Sequence, residues 1–149
     1  MARLLKTQFG LRIALDGPVG KGGGNARGDV GIVQFALRVA SSGNANPFGG
    51  SSGSMFKVPG RNAITVDGAY GPETADYIAA YQAMRKNQPS NSGGPMPAPT
   101  GSFAGPTGPG WQFVILHSDA NRIGGAVLVD QVAGSAVAPI WLKALFLGT

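Results

Sequence analysis

Residues 87–110 limit what this chain can fold into, because half of these 24 positions are proline or glycine. Proline lacks a backbone donor and glycine loses the most conformational entropy on folding, so we expect neither a helix nor a central strand there. The composition is typical of a plain linker or of an extended arm that wraps a neighbouring subunit. The chain therefore divides into an N-terminal part, 1–86, the Pro/Gly-rich arm or linker, 87–110, and a C-terminal part, 111–149.

The remaining composition excludes several classes of protein. A chain of 149 residues can hold one compact domain with an arm, and 43% apolar residues suffice for a core. The absence of cysteine excludes disulfides, thiolate zinc sites and cysteine nucleophiles. No uncharged apolar run reaches the ~18 residues of a membrane span. The first residues lack the apolar segment of a signal peptide, so we expect synthesis in the cytoplasm.

The charge is basic but dispersed. Twelve lysines and arginines against seven acidic residues give a net charge of +5, and only Arg85 and Lys86 adjoin. Nucleic-acid-binding arms usually concentrate their basic residues in one block. The pattern indicates either a merely basic surface or a general attraction to polyanions, such as acidic cell-wall polymers or packaged DNA. We expect no sequence-specific binding of nucleic acid.

Local signals predict secondary structure in the N-terminal part. Residues 3–15 read as a strand. A helix is expected from Asp29, whose carboxylate would accept hydrogen bonds from its own first turn, to Ser42. A second helix is expected to open at Gly71 and Pro72, because proline suits the first helical position, and to end near Lys86.

The C-terminal part reads differently. Residues 111–116 and 126–132 are short apolar runs rich in β-branched residues, joined by a polar segment, and they predict a β-hairpin. Pro139 then opens a short helix, Ile140 to Leu147, that is apolar nearly all round. Together with the N-terminal elements, these signals predict an α+β fold.

Two stretches, 19–40 and 66–82, share a recognisable order of residues. The first includes Gly28-Asp29-Val30 and Val33-Gln34, and the second begins with Val66-Asp67-Gly68. This order resembles the peptidoglycan-binding-like domain, a small helical module. The positions that would form its scaffold are Asp29, Val33, Gln34, Leu37, Gly68, Gly71, Pro72, Thr74 and Gln82.

The physical content of this pattern is mainly structural. Asp67 and Gly68 suit a tight turn in which the glycine takes a positive φ. Gln34 and Gln82 are expected to be buried and to satisfy the backbone amides of loops, as a buried amide must. The pattern therefore specifies a scaffold and not by itself a ligand.

The resemblance implies binding to bacterial peptidoglycan. A glycan site needs an aromatic face, amides and a carboxylate, and the candidates near the motif loops are Asp67, Tyr70, Asn62 and Asn25. Tyr70 equally suits a core aromatic of the motif. The chain departs from the family pattern by a long Gly/Ser-rich loop between the two helices and by the Pro/Gly-rich arm where a third helix normally follows Gln82.

Other chemistry is not supported. The glycines around Lys21 lack the spacing of a phosphate-binding loop. His117, Ser118 and Asp119 adjoin in sequence, whereas a hydrolytic triad needs convergence in space. One histidine and no cysteine disfavour a catalytic zinc site. We therefore expect no enzyme, no metal and no cofactor.

These observations predict a non-enzymatic structural subunit of a bacteriophage virion, in the tail, baseplate or capsid decoration, built on a peptidoglycan-binding-like core. Its expected partners are further copies of itself, other virion subunits and the host cell wall. The alternative is a free peptidoglycan-binding module that targets a lysin or a secreted effector to the cell wall, outside the cell.

Overall fold

The computed structural model describes residues 3–7, 10–42, 56, 58, 60, 63–86, 100–103, 113–124, 128–135 and 138–147. Their elements follow in the order β1 (Arg3–Thr7), β2 (Gly10–Ala14), β3 (Val19–Gly20), α1 (Arg27–Ser42), α2 (Pro72–Lys86), β4 (Ser102–Phe103), α3 (Phe113–Gly124), α4 (Leu128–Gly134) and α5 (Ile140–Leu147).

The described part of the chain is mostly helical, with two small antiparallel sheets, and at this level it is an α+β fold. β1 pairs with β2 from Arg3 opposite Ala14 to Thr7 opposite Gly10. The strand predicted over 3–15 is therefore a hairpin that reverses between Thr7 and Gly10. β3 pairs with β4, which places a piece of the predicted arm beside the N-terminal part.

Helix α1 forms the centre of the core. It begins at Arg27, two residues before the predicted start, and ends at Ser42 as predicted. Every residue from Gly28 to Leu37 is buried, because α2, α3, α5 and β3 all pack against this helix. A helix surrounded in this way buries residues on every side instead of along one stripe.

The β-hairpin predicted over 111–132 is wrong, because the described residues of this range, 113–124 and 128–132, lie in α3 and α4. In α3 the buried residues Phe113, Leu116, His117 and Ala120 follow helical spacing. In α4 the buried residues Leu128, Gln131 and Val132 follow the same spacing. Polar residues occupy some of these buried positions, so the short apolar runs did not reveal the helical period.

The C-terminal helices complete the core around α1. Helix α3 packs on α1 and on β2, and α5 packs on α1 and β1. Helix α5 begins directly after Pro139, which confirms the predicted start. Its Leu142 is fully buried, whereas Ile140 is 85% exposed. None of the helices that the structure describes is both long and apolar enough to cross a membrane.

Candidate functional site

The loop that follows Val66 is held by the side chain of Gln34. This side chain projects from the middle of α1 and is fully buried. Its Oε1 accepts hydrogen bonds from the backbone N–H of Asp67 at 3.0 Å and of Gly68 at 2.8 Å. Its Nε2 lies 3.0 Å from each of three acceptors, which are the Asp67 Oδ1, the Ala69 carbonyl and the Thr74 Oγ1. One amide therefore organises the whole turn.

Asp67 completes this turn while remaining exposed to solvent. Its Oδ1 accepts a hydrogen bond from the backbone N–H of Ala69 at 3.0 Å. That bond, and then the bond from Gln34, lower the pKa of the Asp67 carboxyl below its usual range. Gly68 takes a φ of 78°, which confirms the expected left-handed position. Tyr70 lies at the end of the same loop and is half-buried.

Gln82 holds a second segment in a similar way. Its Oε1 accepts hydrogen bonds from the backbone N–H of Thr100 and of Gly101, both at 2.9 Å, and its Nε2 donates to the Ser102 carbonyl at 2.7 Å. The prediction that both glutamines are buried amides bound to loop backbone is confirmed. Part of the Pro/Gly-rich arm is therefore fastened to the core.

Asn25, the third amide singled out from sequence, organises the glycine-rich loop before α1. Its Oδ1 accepts a hydrogen bond from the Gly20 N–H at 2.7 Å, and its Nδ2 lies 3.1 Å from the carbonyls of Gly20 and Gly23. The residue has a φ of 52°, which asparagine tolerates better than most residues. Both polar atoms of this side chain are occupied within its own loop.

The four candidate glycan residues therefore do not form one described cluster. Asp67 and Tyr70 share a loop, whereas Asn25 serves the loop before α1. Asn62 lies outside the described residues.

Asp29 does not cap its own helix, so that prediction is wrong. Because α1 begins earlier, the residue lies inside the first turn, and its two carboxylate oxygens accept hydrogen bonds from the backbone N–H of Asp16 and of Gly17, each at 3.2 Å. The side chain is buried, and this burial raises the pKa of the carboxyl although the two amides act in the opposite direction. Asp29 thus ties the turn after β2 to the start of α1.

A contact between α5 and the loop that follows Val66, here called the motif loop, was not predicted from the sequence. The edge of the Trp141 ring lies so close to Gly31 and Gly68 that a Cβ at either glycine would come within 2.6 and 2.8 Å of the Trp141 Cη2. The guanidinium carbon of Arg27 lies 4.1 Å from the centre of the same ring, which is a cation–π contact. The one available signal was Gly31, since a glycine inside a helix often marks a close approach.

The polar residues of α3 point to different parts of the fold. The buried His117 accepts a hydrogen bond at Nε2 from the Ile13 N–H at 3.1 Å. Asp119 accepts a hydrogen bond from the Tyr81 hydroxyl and pairs with the Arg85 Nε at 3.3 Å. Burial, followed by the charge of Asp119, raises the pKa of Tyr81, so this hydroxyl remains a donor.

His117 and Asp119 thus bind different elements, the first β2 and the second α2. Among the described residues, no group of three or more histidine, aspartate or glutamate side chains is placed to hold a metal ion.

The chain matches no protein-family model, no curated protein and no solved structure among those with which it was compared. The resemblance to the peptidoglycan-binding-like domain therefore depends on the motif residues alone.

Proposed function

We propose that this protein is a non-enzymatic structural subunit of a bacteriophage virion, in the tail, baseplate or capsid decoration, built on a peptidoglycan-binding-like scaffold. Its partners are further copies of itself and other virion subunits. The cell-wall-directed module that the motif resembles would place this subunit where a virion meets its host.

The proposal depends on one observation, which is what the side chains of the polar motif residues bind. The side-chain amides of Gln34, Gln82 and Asn25 bind backbone groups of loops in this chain. A site that reads a ligand keeps some of its polar groups available for that ligand. These amides instead hold the backbone of short segments at Gly20, at Asp67–Gly68 and at Thr100–Gly101, which suits a building block that presents fixed surfaces to its neighbours.

The apolar C-terminal helix supports the assembly part of the proposal. Ile140 is 85% exposed, although α5 carries one charged residue in eight, Lys143. Charged residues are also only 13% of the whole chain, well under the roughly 25% of ordinary soluble domains. An exposed apolar side chain on such a helix is suited to burial against another subunit.

Light scattering after size-exclusion chromatography, over a range of protein concentrations, tests assembly. We expect the wild type to self-associate as concentration rises, and Ile140→Ser to weaken that association. Ala144→Ser is the matched control, because Ala144 is also exposed on α5 but is much smaller. A wild type that remains monomeric at every concentration would overturn the assembly proposal.

A free peptidoglycan-binding module is the second candidate, and one observation favours it. Asp67 is an exposed carboxylate whose lowered pKa keeps it ionised, and it stands in a rigid turn with the half-buried ring of Tyr70. A glycan site needs a carboxylate and an aromatic face, and this loop carries one of each.

Sedimentation with insoluble peptidoglycan tests this second candidate. Asp67→Asn retains an Oδ1 acceptor for the Ala69 N–H but removes the charge. Asp130→Asn, at an exposed position on α4, changes the net charge by the same amount and is the control. Binding that Asp67→Asn reduces and Asp130→Asn leaves intact supports a glycan site. Equal binding by all three proteins indicates nonspecific attraction and removes this candidate.

A further inference from the structure

The segment Thr100–Phe103 lies in a groove between α2 and β3 and is recognised through its backbone. Gln82 binds the N–H groups of Thr100 and Gly101 and the carbonyl of Ser102. On the other side the Lys21 N–H donates to the Gly101 carbonyl at 3.1 Å. β4 also pairs with β3, with Val19 opposite Phe103 and Gly20 opposite Ser102, as an extended peptide adds to a sheet edge.

One side chain of the segment anchors it. Phe103 is fully buried, and its ring centre lies 6.0 Å from that of Tyr81. The Tyr81 ring in turn contacts Phe56 edge to face, with ring centres 5.7 Å apart. The groove therefore selects a short extended segment with an aromatic residue at its fourth position.

The chain on both sides of this segment has a composition that suits exchange of the segment between two copies of the protein. Residues 87–99 and 104–112, which connect it to α2 and α3, are rich in proline and glycine. At ~3.1 Å per residue, residues 87–99 can reach roughly 40 Å when extended. A domain of this length has a radius of gyration of about 15 Å. Residues 104–112 can extend over roughly 28 Å in the same way. Both connections are therefore long enough for the segment to reach the groove of an adjacent copy.

We propose that the groove accepts Thr100–Phe103 from a second copy of this chain, so that two copies exchange these segments. The segment makes the same contacts in either arrangement, so exchange requires no new interface chemistry. High local concentration, as in an assembly, favours exchange over the closed form. This inference rests on the proposed function, because the exchange would take place within the proposed assembly. Its experiments address the groove and its segment, and not the surface at Ile140.

Engineered cysteines test the exchange, since the chain has none of its own. The Lys21 Cβ lies 3.7 Å from the position of a Cβ at Gly101, within the usual range for a disulfide. A chain carrying Lys21→Cys and a chain carrying Gly101→Cys are refolded together at high concentration, oxidised and analysed on a non-reducing gel. We expect a disulfide-linked dimer of the two different chains, about tenfold more abundant than in the control, because the two Cβ atoms lie in bonding range.

The control mixture replaces Lys21→Cys by Asp130→Cys, an exposed position on α4, which packs on β2, α3 and α5. Gly101 has a φ of 79°, which a cysteine adopts with strain. The double variant, with both cysteines in one chain, therefore serves to show that the fold accepts the pair. An internal disulfide in the double variant, with no mixed dimer above the control level, would overturn exchange.

A second measurement avoids the strained position. Wild-type chains of light and heavy isotopic mass are refolded together, and any dimer is isolated and followed by native mass spectrometry. A dimer of mixed mass that Phe103→Ser abolishes and Ile140→Ser leaves in place supports exchange. A dimer that Ile140→Ser abolishes and Phe103→Ser leaves in place would overturn it while leaving the assembly proposal standing.

Discussion

The replacement Gln34→Glu tests whether one buried amide organises the motif loop. A glutamate retains an oxygen for the N–H groups of Asp67 and Gly68, which Oε1 accepts in the wild type. It also puts a second oxygen in the place of the Nε2 donor. That oxygen would face the Asp67 carboxylate, from which Nε2 is now 3.0 Å distant, and the Ala69 carbonyl at the same distance.

The expected loss of unfolding free energy follows from these contacts. Two unit charges 3 Å apart repel by about 5 kcal/mol at an effective dielectric constant of about 20. Because Asp67 is exposed, solvent screens part of this repulsion. The lost donor bonds contribute about 0.5–1.5 kcal/mol each. We expect Gln34→Glu to lose about 3–5 kcal/mol at neutral pH, a large part of the 5–15 kcal/mol of a typical domain.

The loss should depend on pH in one direction. Burial and the neighbouring Asp67 raise the pKa of the introduced carboxyl in the folded state above its unfolded value of about 4.3. The folded state then binds more protons than the unfolded state between these two pKa values. The unfolding free energy of the variant, relative to wild type, is therefore highest below about pH 4.3 and falls as pH rises through the raised pKa.

Urea unfolding at acid and neutral pH measures both effects, with Gln82→Glu as the matched control. Gln82 binds two N–H groups in the same manner, but its single acceptor is the Ser102 carbonyl and not a carboxylate. Both replacements bury a carboxylate. We expect Gln82→Glu to lose less free energy with a shallower pH dependence, because it loses a single donor bond and faces no second carboxylate. If the two variants lose equal free energy with the same pH dependence, the account of Gln34 and Asp67 is refuted.

Three further predictions concern contacts elsewhere in the fold. Gly31→Ala places a Cβ 2.6 Å from the Trp141 Cη2, so we expect a displaced ring, altered tryptophan fluorescence and a loss of about 1–3 kcal/mol. Tyr81→Phe removes the hydroxyl donor to Asp119 and should cost about 1.5–3 kcal/mol in urea unfolding, because the acceptor is charged. Because the pKa of the Asp67 carboxyl is lowered, this group stabilises the fold above its ordinary pKa of 3.8, and that stability is lost as the pH falls through the lowered pKa. Asp67→Asn should therefore remove this part of the acid dependence of thermal melting.

Each of these predictions has a result that would contradict it. Gly24→Ala is the control for Gly31→Ala, because nothing lies within 4 Å of a Cβ at Gly24; equal effects of the two changes would refute the close approach of Trp141. A neutral Tyr81→Phe would show that Arg85 alone satisfies Asp119. An Asp67→Asn variant with the wild-type acid dependence would show that the carboxylate contributes nothing to acid stability.

The part of the site that sequence predicted is the part built from local contacts and from one short motif. Pro72 is restricted to the φ of a first helical turn, and Gly68 takes a positive φ that few other residues adopt, so their positions follow from residue type. Gln34 and Gln82 were predictable as buried amides because the loops beside them carry backbone groups that need partners. The loop that each would hold was not predicted, because the partner segments lie about 33 residues away for Gln34 and about 18 for Gln82.

The predictions that are wrong concern places where segments distant in sequence pack together. Helices α3 and α4 contain β-branched apolar runs, and only the packing of α3 on α1 and of both helices on β2 makes these runs helical with His117 and Gln131 buried. The spacing predicts a helix cap at Asp29, but the backbone N–H groups of the turn at 16–17 bind the same carboxylate oxygens.

The sequence by itself determined the ends of α2 and α5, the left-handed turn at Gly68 and the need to bury two glutamines, because each depends on the conformational limits or hydrogen-bonding capacity of nearby residues. The tertiary structure decided where the C-terminal helices lie, which segment Gln82 holds and why Gly31 must be small. These outcomes depend on contacts with Trp141, Phe103 and α3, which lie far along the chain from the residues they contact. Burial is a property of the assembled core, and no local pattern specifies which distant surface supplies it.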